Sequence, residues 1–487
     1  MQSDMDPDGA PESTIDPEVI DDTVSVAADT GDATSIVREV LGDEHLEVDG
    51  DRAAPTITPV PKRTPAARPA AKKRKKRLGN RPVFRVVQVT HRWLALITGV
   101  LLLLLVVTGC VLLYKAPIQH TLEHSVYYPS DKAHLVVKTP DQALEIVAKA
   151  EPKRTIANAV HVPTGNFAVQ DSDYKTTWAV DASTGRIVKE WNSQSGFWAL
   201  LDNIHECALS CEGYPLYVAA LGKPIGGIFG KELTWSSLIL GVMGLVLLVL
   251  VVGGLVLWWP GIKNMARGFK IRRGNRYKFH YDLHKVVGFV ALPFLLMWAL
   301  TGANFELPFV TNAWYAVLPG KKPAEVTFTS AKVPKGTKPI TPAQAMAAVQ
   351  RDYPGMKIVS LGKPDASDAT STYNAYLAHG FDPWKASDYP GDYGVGIDQF
   401  SGRTKVTFTD DYPHLSQTLE EQYGGATHMG FVLGPWWRSI LLLFGLVPIL
   451  LAVTGTTTWW IRRGKAKRKK QLKRERAKAA AAAGAAA

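Results

Sequence analysis

The stretch WSSLILGVMGLVLLVLVVGGLVLWW, Trp235 to Trp259, runs without a single charged residue. A helix crosses the ~30 Å hydrocarbon layer of a bilayer in roughly 20 apolar residues, and helical pairing satisfies its backbone there. Leu94 to Tyr114, Val286 to Pro308 (charged only at Glu306) and Ser439 to Ile461 have the same character. A buried core helix does not stay apolar on every face for this length. The chain is therefore read as a membrane protein with four spans, over 91–115, 235–259, 284–306 and 436–461.

Working outward, the charges fall in blocks. The whole chain has 487 residues, 56 Lys+Arg, 44 Asp+Glu and 46% apolar residues, figures that would suit a basic soluble protein or a nucleic-acid binder. The blocks exclude both. Lys72 to Arg92 holds nine basic residues and no acidic one, and the tail after Ile461 holds eleven against one Glu. The loop before the third span carries Lys263, Arg267, Lys270, Arg272, Arg273, Arg276 and Lys278. These alternate with long segments, 116–234 and 307–435, of net charge −3 and −1. Basic residues at span ends stay in the cytoplasm. The loop 260–283, the Ala-rich tail 462–487 and both termini are thus expected inside, and the two long segments outside, the plasma membrane. Residues 1–80, with sixteen Asp/Glu before position 52 and then a Pro/Ala/Thr-rich stretch, are expected to be a disordered cytoplasmic region. No leader pattern opens the chain, so the first span is expected to be an anchor. The Lys72–Arg77 run suits anionic lipid.

The chain also repeats itself. His91 precedes an apolar run reaching Thr108-Gly109, and His284 one reaching Thr301-Gly302; both His-to-Gly separations are 18 residues, about 27 Å of helix. Gly254-Leu-Val-Leu-Trp258-Trp259 is echoed by Gly455-Thr-Thr-Thr-Trp459-Trp460. Between the spans, Thr139-Pro140 and Thr341-Pro342 each open an amphipathic stretch, Thr as N-cap and Pro first in the helix. Asp181-Ala-Ser-Thr-Gly185-Arg186 and Asp398-Gln-Phe-Ser-Gly402-Arg403 each close a strand with a turn. Two small α+β outer domains are predicted.

The pieces His91-Arg-Trp-Leu, Thr108-Gly109, Thr301-Gly302, Leu255-Val-Leu-Trp-Trp-Pro260, Asp282-Leu-His284, His428-Met-Gly and Thr454-Gly455 resemble the PepSY-associated transmembrane family, over roughly residues 85–465. The resemblance implies a four-transmembrane-helix bundle built from two repeats, with two PepSY-like extracytoplasmic domains. Some members are similar to iron-regulated membrane proteins and ferric-siderophore reductases, which implies haem and electron transfer. Other members have no assigned role.

Of twelve histidines, four stand out by position. His91 and His284 begin the first and third spans; His205 and His428 precede the second and fourth. Each side of the membrane thus receives a pair of imidazoles. Haem iron takes two axial imidazoles projecting from facing helices, so two b-type haems are expected, the inner on His91 and His284 and the outer on His205 and His428. Gly109 and Gly302 lie at the outer level, Gly253, Gly254 and Gly455 at the inner, and leave room for a flat macrocycle. His280, one turn before His284, is a rival ligand, as are His120 and His124 outside the first span. The residues after His205, including Cys207-Ala-Leu-Ser-Cys211, form an insertion in the first repeat. Cys207 and Cys211 are read either as a local disulfide or as two thiols, and Cys110 lies inside the first span. His161, His379 and His414 are expected on the surface. Pro293 and Pro448 are expected to kink their spans, and Trp258, Trp259, Trp459 and Trp460 mark the inner interface.

No dinucleotide fingerprint, Walker A motif, Ser-His-Asp, His-Glu-x-x-His or Cys-x-x-Cys signature occurs. Electrons must then come from an external donor, a quinol or a cytoplasmic reductase. The expected acceptor is a ferric siderophore or another extracytoplasmic molecule; no nucleic-acid partner is expected. The rival reading is a haem-free scaffold or regulator whose outer domains bind a peptide or protein. A transporter is the third, and the scarcity of charge within the spans argues against ion coupling.

Overall fold

The computed structural model describes residues 82–226, 233–334, 336–378, 392–409 and 412–485. The disorder expected over 1–80, and His379, lie outside them. Three helices among the described residues are long and apolar enough to cross a membrane. They are α1 (Pro82–Leu112), α6 (Trp235–Trp258) and the stretch Pro435–Gly484, which comprises α14 (Pro435–Gly445) and α15 (Val447–Ala485). A fourth candidate is a bent pair, α8 (Arg276–Val290) and α9 (Leu292–Glu306), meeting at 63°. Pro293 causes the bend: it has no N–H for the Phe289 carbonyl, and its ring clashes there. Pro448 sits just past the break between α14 and α15. The basic, Ala-rich tail after Ile461 is helical, continuing α15 to Ala485.

The apolar helices pack in pairs, α6 along α9, α8 along α15 and α1 along α6. Gly241 and Gly244 allow the close approach of α6 to α9, since a methyl at either would collide with Leu307 or Ala303. The basic loop holds α7 (Met265–Gly268) and folds back on α8. There the fully buried Asp282 carboxylate takes Arg272 in a two-pronged bond of 2.6 and 2.8 Å, with Lys285 at 3.7 Å. Asp282 is buried while Arg272 is half-exposed, and removing the arginine would leave a buried carboxylate short of a partner, so the pair anchors this loop.

The other end carries one sheet. α2 (Lys115–Leu122), α3 (His124–Tyr127) and α4 (Pro140–Ala150) lead into β1 (Ile156–His161), β2 (Phe167–Asp171), β3 (Thr176–Val180) and β4 (Ile187–Asn192), then α5 (Gly196–His205). The second half follows with α10 (Pro308–Val317), α11 (Pro342–Asp352), β5 (Lys357–Gly362), β6 (Thr372–Ala378), β7 (Tyr393–Asp398) and β8 (Thr404–Thr409). It closes with α12 (Leu415–Gln417), a π-helical turn over Thr418–Gly424 and α13 (Gly425–Met429). α4 and α11 both begin as the sequence predicts, with Pro first and the side chain of Gln142 or Gln344 accepting from the N-cap amide.

Where the sequence predicts two separate α+β domains, the structure joins them. All eight strands form one antiparallel sheet, ordered β4-β3-β2-β1-β5-β6-β7-β8. The seam pairs Asn158 with Gly362, Ala159 with Leu361 and Val160 with Ser360. Alone, each half would expose β1 or β5 as a free edge; pairing them removes both edges. The core is shared as well, running from Leu144, Phe167 and Trp178 to Val349, Leu377 and Ile397.

The repeated turns superimpose in chemistry. Gly185 and Gly402, at φ +68° and +70°, donate to the Asp181 and Asp398 carbonyls. Both aspartates are buried. Burial pushes the Asp181 carboxyl up, but hydrogen bonds from Ser130 and Ser183 outweigh it and hold the pKa at about 2. Asp398 is also lowered: burial opposes, and the Ser401, Ala331 and Phe400 amides prevail. A carboxyl more acidic in the fold than in the unfolded chain stabilises the fold above about pH 4 and loses that contribution as pH falls towards 2. Acidifying the intact protein through that window should open the sheet to proteolysis, and Asp181→Asn should flatten the dependence. An identical acid profile in the variant would remove Asp181 from the account.

Candidate functional site

Two pairs of imidazoles stand among the apolar helices, one pair near each end. Away from the sheet, His91 of α1 and His284 of α8 have ring centroids 6.3 Å apart with planes at 85°. Beneath the sheet, His205 and His428 are 6.4 Å apart at 56°. His205 is the last residue of α5, which packs on α1; His428 lies in α13, which packs on α9. The four histidines singled out in the sequence are therefore brought together as two pairs.

A shared hydrogen-bond pattern aims three of the four rings. The Thr108 hydroxyl lies 3.1 Å from His205 Nδ1, Thr301 2.7 Å from His428 Nδ1 and Thr454 3.0 Å from His284 Nδ1. Each hydroxyl already donates one turn back along its own helix, to the carbonyls of Leu104, Met297 and Leu450. With its single proton committed, the threonine oxygen can only accept, so the network assigns Nδ1 as N–H. The Leu451 carbonyl, 3.0 Å from His284 Nδ1, can only accept too. The lone pair is thereby left on Nε2, the arrangement by which a second partner fixes a metal-binding imidazole. His91 differs. No hydroxyl reaches its Nδ1, because Gly253 stands where the second repeat has Thr454, and the Leu250 carbonyl is the polar group beside it.

The spacing admits an ion between the rings. A metal gripped on both sides at about 2 Å from each nitrogen separates the centroids by roughly 6 Å. Close packing around the rings uses glycine: a methyl at Gly109 would lie 2.6 Å from His205 Cε1, at Gly455 3.2 Å from His284 Cε1, and at Gly254 3.4 Å from His91 Cε1. At Gly302 it would meet nothing within 4 Å, leaving open space beside the pair under the sheet. Phe305 closes on His428 at 5.2 Å. Burial drives the His428 pKa down to about 3, with His205 adding to it, and burial likewise lowers His205. Both rings are neutral at pH 7.

No group of three or more His, Cys, Asp or Glu that would hold a bare metal ion occurs among the described residues. Two opposed imidazoles suit instead a group that brings its own equatorial ligands, as a haem does.

The rival ligands are placed elsewhere. His280 packs on Phe279 at 5.5 Å, and none of its ring contacts is an imidazole. His120 lies 4.5 Å from Tyr127 and His124 stacks on Tyr128 at 4.3 Å, both in the α2–α3 corner. His414 is exposed. His161, expected on the surface, is half-buried against Phe167 at 4.8 Å, and burial with the nearby Lys357 lowers it to about 4. Cys207 and Cys211 form a disulfide. Thr108-Gly109 and Thr301-Gly302 recur in register in the sequence, but the repetition alone does not show that their hydroxyls bond the imidazoles.

A family model described as the PepSY-associated TM region matches residues 88–462. No curated protein matches the chain.

Proposed function

This chain belongs to the PepSY-associated TM region family, and from that premise we propose that it is a plasma-membrane protein of two repeats and four spans that holds two b-type haems and carries electrons outward. In this reading α8 and α9 form one bent span, the basic loop and both termini are cytoplasmic, and the sheet is extracytoplasmic, as the positions of Lys and Arg imply. His91 and His284 would hold the inner haem, and His205 and His428 the outer. The observation that carries the reading is the pair of opposed imidazoles at each end, 6.3 and 6.4 Å apart, with Nδ1 of three rings committed to threonine.

Bound haem would supply a one-electron Fe(III)/Fe(II) couple on each side of the bilayer. The protein's own part is placement. Thr108, Thr301 and Thr454 fix the tautomer and ring angle. The glycines let the rings lie against neighbouring helices. The absence of a nucleotide-binding motif supports an external donor, a quinol or a cytoplasmic reductase. The extracytoplasmic sheet would meet the acceptor, a ferric siderophore by the family's resemblance.

Purified protein should show the spectrum of low-spin haem b on dithionite reduction, at near two per polypeptide. A colourless protein from haem-replete cells would sink the reading and leave the haem-free scaffold in its place.

A further inference from the structure

Away from the sheet, α1, α8 and α15 line a cleft of about 320 Å³, walled by Gln88, Tyr277, Tyr281, Arg462 and Lys465. Its position follows from helix register. Gln88 lies three residues before His91, and Tyr281 three before His284. Residues three apart are neighbours on one helix surface, so each wall residue sits one turn further from the sheet than its histidine. The cleft thus lies about one turn beyond the level of His91 and His284, on the same two helices.

Its two walls differ in chemistry. One is aromatic, with the Tyr277 and Tyr281 rings 6.1 Å apart and nearly parallel. The other is cationic, Arg462 and Lys465, with the Lys465 ammonium 6.0 Å from the Tyr277 ring centre. Among the described residues neither cation forms an ion pair. The nearby Arg272 and Lys285, by contrast, are both taken up by Asp282.

We propose that Arg462 and Lys465 bind the two carboxylates of the haem held between His91 and His284. The inference rests on the function proposed above and names a part of the same site. Haem carries its two carboxylates along one edge, and an ionised carboxylate is costly in hydrocarbon. That edge must face water, and the cleft lies about one turn beyond the ring pair. Two unpaired cations match two carboxylates, and the arginine fork suits a carboxylate in particular. The Gln88 amide and the tyrosine hydroxyls are further donors on the wall. A phospholipid phosphate offers the same anionic oxygens, so the test must separate the two sources.

The test uses the full chain in nanodiscs with and without phosphatidylglycerol, comparing wild type with the double variant Arg462→Gln/Lys465→Gln. Both residues are exposed, so the fold tolerates the change. Lys469→Gln/Lys470→Gln, the same charge loss further along α15, is the control. Apomyoglobin should strip one of the two haems about tenfold faster from the cleft variant, and that haem's midpoint should move to lower potential, because nearby cations favour the reduced state. The affected haem should be the one missing from His91→Ala. Unchanged transfer rate and midpoint in the cleft variant would overturn the inference while the wild-type spectrum upheld the function. Loss of co-purified phosphatidylglycerol with both haems unaltered would also overturn it, assigning the cleft to lipid. A wild type without haem would take both readings down together.

Discussion

Replacing His428 by Ala should remove about one haem of two, halving the reduced-minus-oxidised absorbance, and His91→Ala should do the same for the other pair. The effect should be large and local for a physical reason. Truncating His428 withdraws the N–H that the Thr301 oxygen accepts, but that hydroxyl keeps its bond to Met297. The lost hydrogen bond costs the fold about 1 kcal/mol, and the space the ring vacates adds a cavity term. On the proposed assignment the cofactor, in contrast, loses one of its two protein ligands. Free imidazole supplied to His428→Ala should restore the spectrum by filling the space the ring vacated. His280→Ala should leave both haems in place, since its ring packs on Phe279 and faces no other imidazole. Two haems retained in both His91→Ala and His428→Ala would refute the ligand assignment even in a haem-bearing protein. A matched loss in His280→Ala, or in His120→Ala or His124→Ala, would move the ligand to that residue.

Part of this geometry follows from sequence patterns, and the rest is hidden for identifiable reasons. The apolar runs gave the spans because a bilayer imposes length and composition on a single segment, which a sequence displays directly. The pairing of His91 with His284 followed from the duplication: two helices entering from the same side with equal His-to-Gly spacing bring their histidines to one level. His280 could not be set aside that way, since it shares a helix surface with His284 and only the position of α1 decides which ring is met. The β1–β5 seam was invisible because it depends on register between strands about two hundred residues apart. Nothing within either strand announces its partner. The bend between α8 and α9 was signalled by Pro293, but proline fixes where a helix breaks and leaves the angle to its neighbours.

The glycines allow the sharpest graded test, because the structure ranks them. A methyl at Gly109 would sit 2.6 Å from His205 Cε1, closer than two carbons can approach, so the ring must swing away from Thr108. At Gly455 and Gly254 the contacts to His284 and His91 are 3.2 and 3.4 Å, which a shift of a few tenths of an ångström relieves. At Gly302 nothing lies within 4 Å. Gly109→Ala should therefore weaken the outer haem at least tenfold, about 1.4 kcal/mol, since a ligand misplaced by even ~1 Å no longer holds productive geometry. Gly455→Ala and Gly254→Ala should weaken the inner haem less. Thermal stability should barely follow this order, because the atom in the way at Gly109 is the far end of a side chain and can turn aside. Titrating haem into each apoprotein would read the series. Equal losses in Gly254→Ala and Gly109→Ala would mean that the mutations disturb the helices generally. The predicted order would mean that glycine is needed where an imidazole must be aimed.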